Sequence, residues 1–331
     1  MAPLSRFRRV VIVTPVAVTG GPEAIHQLAY SLNCLGVDAK LAYLGASNAV
    51  QIAPDRVLCA TPTHPNTMEI YRDYRPQVAP EIPLDPQTLV ILPEVFAAQH
   101  AMFQNCGVAV WWLSIDNAIA FNPALGEPAG RAEVFQRDDL IHLHQSVYAR
   151  EWLRHNGARN LYDLGDYTTA LFHSPEVATP PPGAAASFNL QKGATLAEEF
   201  FAAHPRFNGL GLKGFSKAEL RDIFAERLLY VDFGHFPGKD RMPREAAACG
   251  GIVFVHRQGA GAFYDDFPIA DFFKFTPEDI ASGELARRLD AVVADPQRHW
   301  AEQAHYRALI AWEKASFHDQ VMRLWGVKRM I

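Results

Sequence analysis

Cysteine is scarce and scattered: Cys34, Cys59, Cys106 and Cys249 are the only four, and no two form a CxxC pair. This spacing excludes the dense disulfide framework of small secreted domains and makes reduced thiols in a cytoplasmic setting the expectation. Zinc is left without a Cys/His cluster. Of the thirteen histidines, only His142 and His144, on one face of the segment LIHLH, have a spacing that metal ligands could use, so no metal is expected. No apolar run approaches the roughly 20 residues needed to cross a bilayer, and membrane contact should be peripheral at most. A surplus of positive charge is also missing. The net charge of -5 argues against a surface that holds nucleic acid by its phosphates, while a local basic pocket for a small anion stays compatible with it.

Apolar material is plentiful instead. With 49% hydrophobic residues, the chain can fill two compact cores, although one large α/β domain would also suit its length. The start, MAPLSRFRRVVIVTPVAV, has arginines before an apolar run, as a leader peptide would. The alternating rhythm of its valines and the interruption at Pro15 read instead as a first buried strand. From there strand-like and helix-like segments alternate, the pattern of a parallel sheet covered by helices. Strand 9–14, the loop VAVTGGP, a helix over 22–35 closed by Gly36, and the strand DAKLAYL make a right-handed βαβ unit. Further strands fall at 88–92, 108–113 and 140–143, and the proline-rich stretch 61–86 reads as a surface excursion.

The run SPEVATPPPGAAA, 174–186, can continue neither a helix nor a central strand and marks a linker. The second half repeats the alternation, with strands at 186–190, 209–212 and 228–233 and at IVFVH, and a helix over 217–226. A helical tail over 296–325 is expected to break near Ser316. The expected domains are 1–178 and 184–300, with a helical segment 301–331 packing back on the first.

The stretch 232–251 is the richest in chemistry. Gly234 and Gly238 free the backbone after a strand, Lys239 and Arg241 bring cations, Asp240 is an N-cap candidate, and Pro243 fits a first helical turn. Such a turn aims N–H groups and a helix dipole at an anion; a capped helix with solvated Lys239, Arg241 and Arg244 is the plainer alternative. GHFPGKD is one residue short of a Walker loop, and Asp240 stands where Ser or Thr would ligate magnesium. The tripeptide DFG at Asp232 lacks the HRD and APE elements of kinases.

These residues do resemble a family. EAAACGGIVF, 245–254, looks like the donor-site helix and strand of GT-B glycosyltransferases of family 4. VTGGPEAIHQLAYSLNCLGVDAKLAYL is similar to that family's glycine pair, helix and second strand, and FNLQKG, 188–193, to the first turn of its C-terminal domain. The resemblance implies two Rossmann-like domains facing across a cleft, with a C-terminal helix returning to the N-domain. It implies that Gly20 and Gly21 approach the donor phosphates, that Lys192 neutralises the leaving diphosphate, and that Glu245 contacts the nucleotide ribose. The family's first motif glutamate falls at Pro237, and Ser187 stands at its arginine, with Lys239 and Arg241 at hand to compensate.

In WWLSIDN, 111–117, Asp116 stands near the family's donor-sugar histidine. It reads as a partner for a sugar hydroxyl, as a base, or as a helix N-cap. Gly259 and Gly261 in RQGAGAF either admit the donor sugar or form a turn. The catalytic candidates are Lys192, Lys239 and Asp116; the binding candidates are Gly20, Gly21, Gly238, Arg241, Glu245, Gly259 and Gly261. The implied activity is retaining, metal-independent transfer from a nucleotide-diphosphate sugar to a glycan-type acceptor, without a cofactor. A noncatalytic sugar-nucleotide or glycan-binding protein on the same scaffold is the alternative. An NAD-dependent oxidoreductase ranks below both, because VAVTGGPEA lacks GxGxxG.

Overall fold

The computed structural model describes residues 2–44, 50–59, 69–173 and 178–327. The chain divides into two compact units, Met1–Asp166 with Ala315–Ile331, and Tyr167–Lys314.

In the first unit, β1 (Arg9–Pro15) is buried along its centre and pairs in parallel with β2 (Asp38–Leu44). Such near-continuous apolar runs are what a strand covered on both faces requires. After the short strands β3 (Val50–Ile52), β4 (Arg56–Cys59) and β5 (Glu81–Pro83), the sheet grows on the other side of β1. There it adds β6 (Thr88–Pro93), β7 (Gly107–Trp112), β8 (Ile141–His144) and β9 (Leu161–Asp163), giving the parallel order β2-β1-β6-β7-β8-β9. The helix Gly20–Cys34 starts earlier than the spacing suggests and takes both glycines into its first turn.

The stretch 61–86 is not simply a surface excursion. Residues 61–68 lie outside the described ones, but Tyr71, Ala79 and Ile82 are buried. The reason is pairing: β5 lies antiparallel to β4, and Val78 bridges Leu41 of the main sheet.

The second unit holds β10 (Ala186–Asn189), β11 (Leu210–Leu212), β12 (Leu229–Asp232), β13 (Ile252–His256) and β14 (Lys274–Phe275), all parallel in the order β11-β10-β12-β13-β14. The helix Lys217–Glu226 falls where the sequence puts it because Ser216 and Glu219 form a capping box. Residues 174–177 of the proline-rich run lie outside the described ones, and the division between the units falls at Asp166/Tyr167.

The tail breaks at Gln303, between helices Pro296–Glu302 and Ala304–Trp325, and runs unbroken through Ser316. The buried Gln303 amide donates to Val253 O at 2.8 Å and accepts from Val253 N at 3.0 Å. It satisfies backbone groups that the two-residue strand β14, which pairs only with Val255 and His256, does not reach. The last part of the final helix belongs to the first unit, where Leu4 N donates to Leu324 O, His318 bonds Ser31 at 2.7 Å, and Gln320 accepts from Gly165 N. Among the described residues no helix is long and apolar enough to cross a membrane.

Candidate functional site

In the second unit the chain leaves β10 for β11 on one side, then returns to β12 on the other. Loops that diverge in this way open a crevice over the carboxyl ends of the strands, the usual ligand position in open α/β sheets. The turn after β10 (190–193) and the turn after β12 (233–240) flank it and touch. Gly193 has φ +64, and a Cβ there would stand 2.6 Å from the Phe233 carbonyl; a Cβ on Gly234 would stand 2.6 Å from Lys192 Cβ. Each glycine is the space the opposite turn fills.

Charge is concentrated where the turns meet. Lys192 Nζ forms an ion pair with the Asp240 carboxylate, so Asp240 receives a lysine instead of capping its own helix. Beneath them, Asp232 is fully buried and accepts from Tyr230 OH at 2.7 Å and from Gly234 N at 2.9 Å. Burial, reinforced by the Asp240 charge, pushes its carboxyl up to about 6, although the Tyr230 hydrogen bond pulls the other way. Burial also raises the Asp240 carboxyl, against the pull of Lys192.

Lys239 Nζ lies 3.5 Å from Glu313. Arg244 is not solvated. It is fully buried, donates to the carbonyls of Asp240 (3.1 Å) and Lys239 (2.8 Å), and stands 3.0 Å from Glu313. The arginine therefore holds the turn from beneath while Lys192 and Lys239 keep a quarter to a third of their side chains in solvent.

Three of the seven sequence candidates in this unit, Lys192, Gly238 and Lys239, lie on these turns. Gly238 is buried between Pro237 and Lys239, and Arg241 opens the helix Arg241–Ala248. Glu245 is buried one turn further along, not on an exposed helix face. Gly259 bridges Phe236, with its Cβ position 2.1 Å from Phe236 O, and a Cβ on Gly261 would stand 2.3 Å from His256 O. The chain's own turn occupies both positions. Ser187, at the family's arginine position, is buried within β10 and bonds Leu229 O.

The first unit has its own switch point between β1 and β6. Gly20 and Gly21 open the helix after β1, and a Cβ on Gly21 would meet only Leu113 Cδ1 at 3.7 Å. Ser114, not Asp116, caps the next helix, Ile115–Phe121, accepting from Asn117 N at 3.2 Å. Asp116 sits in the first turn, hydrogen-bonded to Tyr148. Glu94, directly after β6, is buried and accepts from Leu113 N at 3.3 Å; burial pushes its carboxyl up to about 8. His142 and His144, two apart in β8, have different partners. His142 Nδ1 accepts from Trp112 Nε1, His144 faces Asp163, and among the described residues no group of three ligating side chains could hold a metal.

No family profile matches the sequence, and no curated protein is significantly similar to it. Solved structures do match. Sucrose-phosphate synthase from Thermosynechococcus elongatus aligns over 96% of this chain and 98% of its own, with TM-score 0.62 and 12% identity. Anabaena Alr3699/HepE in complex with UDP-glucose aligns over 96% and 99%, with TM-score 0.63 and 10% identity. The catalytic domain of starch synthase IV from Arabidopsis thaliana, bound to ADP and acarbose, aligns over 97% and 100%, with TM-score 0.52 and 10% identity. The fold is GT-B.

Within this GT-B chain four buried charged residues at or beside the candidate turns, Asp232, Glu94, Arg244 and Glu313, are not among the sequence candidates. Asp232 carried a signal, an acidic residue ending an apolar strand, but it was attached to a kinase tripeptide that the rest of the sequence does not support. Glu94, after LVILP, carried the same kind of signal. Arg244 and Glu313 offered none, since nothing local ties positions so far apart along the chain.

Proposed function

We propose that the protein is a family 4-like glycosyltransferase that moves a sugar from a nucleotide-diphosphate donor to a glycan-type acceptor. The observation that supports this most is Lys192 lying against the 238–241 turn over the β10/β12 switch point, with the first turns of two helices beside it. Their N–H groups and two partly exposed lysines suit a diphosphate. In this reading the donor diphosphate takes the place of the Asp240 carboxylate on Lys192, exchanging one anion for another.

The reaction breaks the bond between the sugar's anomeric carbon and the diphosphate oxygen. The electron pair stays on the leaving nucleoside diphosphate, where Lys192 and Lys239 stabilise it. The acceptor oxygen bonds the anomeric carbon on the face the diphosphate leaves, retaining configuration, and its proton passes to the departing phosphate oxygen. Glu245 serves the ribose, Gly238 and Arg241 the phosphates, and Gly259 and Gly261 the edge of the sugar site. Gly20, Gly21 and Asp116 act from the first unit, Asp116 on a sugar hydroxyl. Charge stabilisation is assigned to the lysines and helix ends, without a metal.

A second reading, binding without transfer, rests on Pro237 and Ser187 standing where the family has a glutamate and an arginine, with Ser187 buried and bonded to Leu229 O. Calorimetry with UDP-, GDP- and ADP-sugars, run beside a product assay, separates the two. Binding with turnover supports the enzyme, binding without product over long incubation supports the second reading, and no binding of any donor overturns both.

A further inference from the structure

The ion pair between Lys192 and Asp240 closes the meeting point of the turns after β10 and β12. Asp240 keeps 20% of its side chain in solvent and Lys192 32%, so an anion in solution reaches the pair without unfolding either turn. Lys192 is the strongest electrostatic hold on the Asp240 carboxylate, through both its charge and a hydrogen bond; Arg244 and His235 add less. Arg244 and Lys239 are shared with Glu313, at 3.0 and 3.5 Å. Asp240 also bears on two buried groups of β12, Asp232 and Tyr230, and Glu245 bears on Tyr230 as well.

An anion bound to Lys192 shifts this balance one way. It shares the ammonium with Asp240 and sets a second negative charge beside a carboxylate that burial already raises, with the buried Asp232 carboxyl beneath. Like charges crowded into one site are relieved by protonating the more basic group. The diphosphate of a nucleotide sugar is the stronger acid, so the proton goes to the carboxyl.

We propose that Asp240 takes up one proton from solvent when the donor diphosphate binds Lys192, and that donor affinity therefore falls as pH rises. The inference rests on the reading of these turns as the diphosphate site, and it holds whether or not transfer follows. Once protonated, Asp240 donates its O–H to a phosphate oxygen, so the carboxylate that pairs with Lys192 in this structure becomes a donor to the ligand. Release of the ligand returns the proton to solvent and restores the ion pair. The sign follows from linkage. A carboxyl that binds its proton more tightly in the complex favours the complex at low pH, and the gain is lost as pH rises through its value in the complex.

Titration calorimetry with UDP-, GDP- and ADP-glucose, in buffers of differing ionisation enthalpy, counts the protons taken up. For the sugar nucleotide that binds, Kd should rise several-fold per pH unit from about pH 6 to about pH 8, up to the limit of about tenfold set by one proton. Asp240→Asn keeps the side-chain size and is neutral at every pH. It should bind without proton uptake, with a flat pH profile, and more tightly than the parent at the upper end. His235→Gln and Asp232→Asn remove the two other groups that titrate in the cluster, and the uptake should persist in both. Uptake that survives Asp240→Asn, or that disappears in His235→Gln, assigns the proton elsewhere and overturns the proposal. Binding by the parent with no proton uptake overturns this inference alone and leaves the diphosphate site standing, whatever the variants do. Absence of binding by all three sugar nucleotides overturns the site itself, and this inference with it.

Discussion

Arg244 stands 3.0 Å from Glu313 with both side chains withdrawn from solvent, and the other Glu313 oxygen accepts from the backbone and hydroxyl of Thr168 at 2.9 Å each. One carboxylate thus joins the 239–244 turn to Thr168, just past the Asp166/Tyr167 division, and to the helix that carries the chain back to the first unit. The turn proposed to hold phosphate is built from beneath by an ion pair that the sequence gives no means of finding.

Breaking that pair should cost far more than a surface ion pair. Arg244→Ala leaves the buried Glu313 carboxylate with only the partly exposed Lys239, 3.5 Å away, as counter-charge, and should cost up to about 3–5 kcal/mol, the effect of breaking a buried pair. A double change, Arg244→Met with Glu313→Gln, removes both charges and should recover part of the loss. Thermal melts of the single and double variants measure this, and a single variant as stable as the parent would contradict the pairing.

Lys192 should behave in the opposite way. Its side chain is about a third exposed, so Lys192→Ala should leave the melting temperature near that of the parent. If it stabilises the leaving diphosphate, turnover or donor hydrolysis should fall by about a hundredfold or more. A steady-state assay at saturating donor checks the rate, and unchanged kcat would remove Lys192 from the chemistry.

Two buried carboxyls make stability depend on pH. Asp232 is raised to about 6 and Glu94 to about 8, both by burial first. A carboxyl raised above its unfolded value binds its proton more tightly in the folded state. Its contribution is therefore complete below the unfolded value, near 4, and is lost as pH rises through 6 for Asp232 and through 8 for Glu94. Glu94→Gln can still accept from Leu113 N and should flatten the decline between pH 5 and 8. Parallel melting curves that keep the same slope would contradict a protonated Glu94.

What could be read from the sequence was local. The alternation of strands and helices follows from apolar runs and their breakers, and the helix Lys217–Glu226 from a capping box three residues wide. The glycine turn with Gly234 and Gly238 was visible because it follows an apolar strand, whereas Lys192, Gly20 and Gly21 were candidates only through the family resemblance of FNLQKG and VTGGPEA. What stayed hidden depends on partners distant in the chain. The helix break at Gln303 is set by an amide bonded to Val253, the burial of Ala79 and Ile82 by the pairing of β5 with β4 and of Val78 with Leu41, and the burial of Arg244 by Glu313.

Glycines on the two sheets separate a folding role from a binding role. At Gly193 the backbone is left-handed and a Cβ would stand 2.6 Å from the Phe233 carbonyl, so Gly193→Ala should strain the turn and lower stability by about 1–3 kcal/mol. At Gly21 a Cβ meets nothing closer than 3.7 Å, and the position lies in a helix, where alanine is favoured over glycine by about 1 kcal/mol. Gly21→Ala should therefore melt at or above the parent temperature. If that first helical turn approaches the donor phosphates, the same methyl should weaken nucleotide-sugar binding several-fold in calorimetry, a loss that cannot be blamed on misfolding. Unchanged affinity would mean that the glycine pair after β1 is not part of the phosphate site.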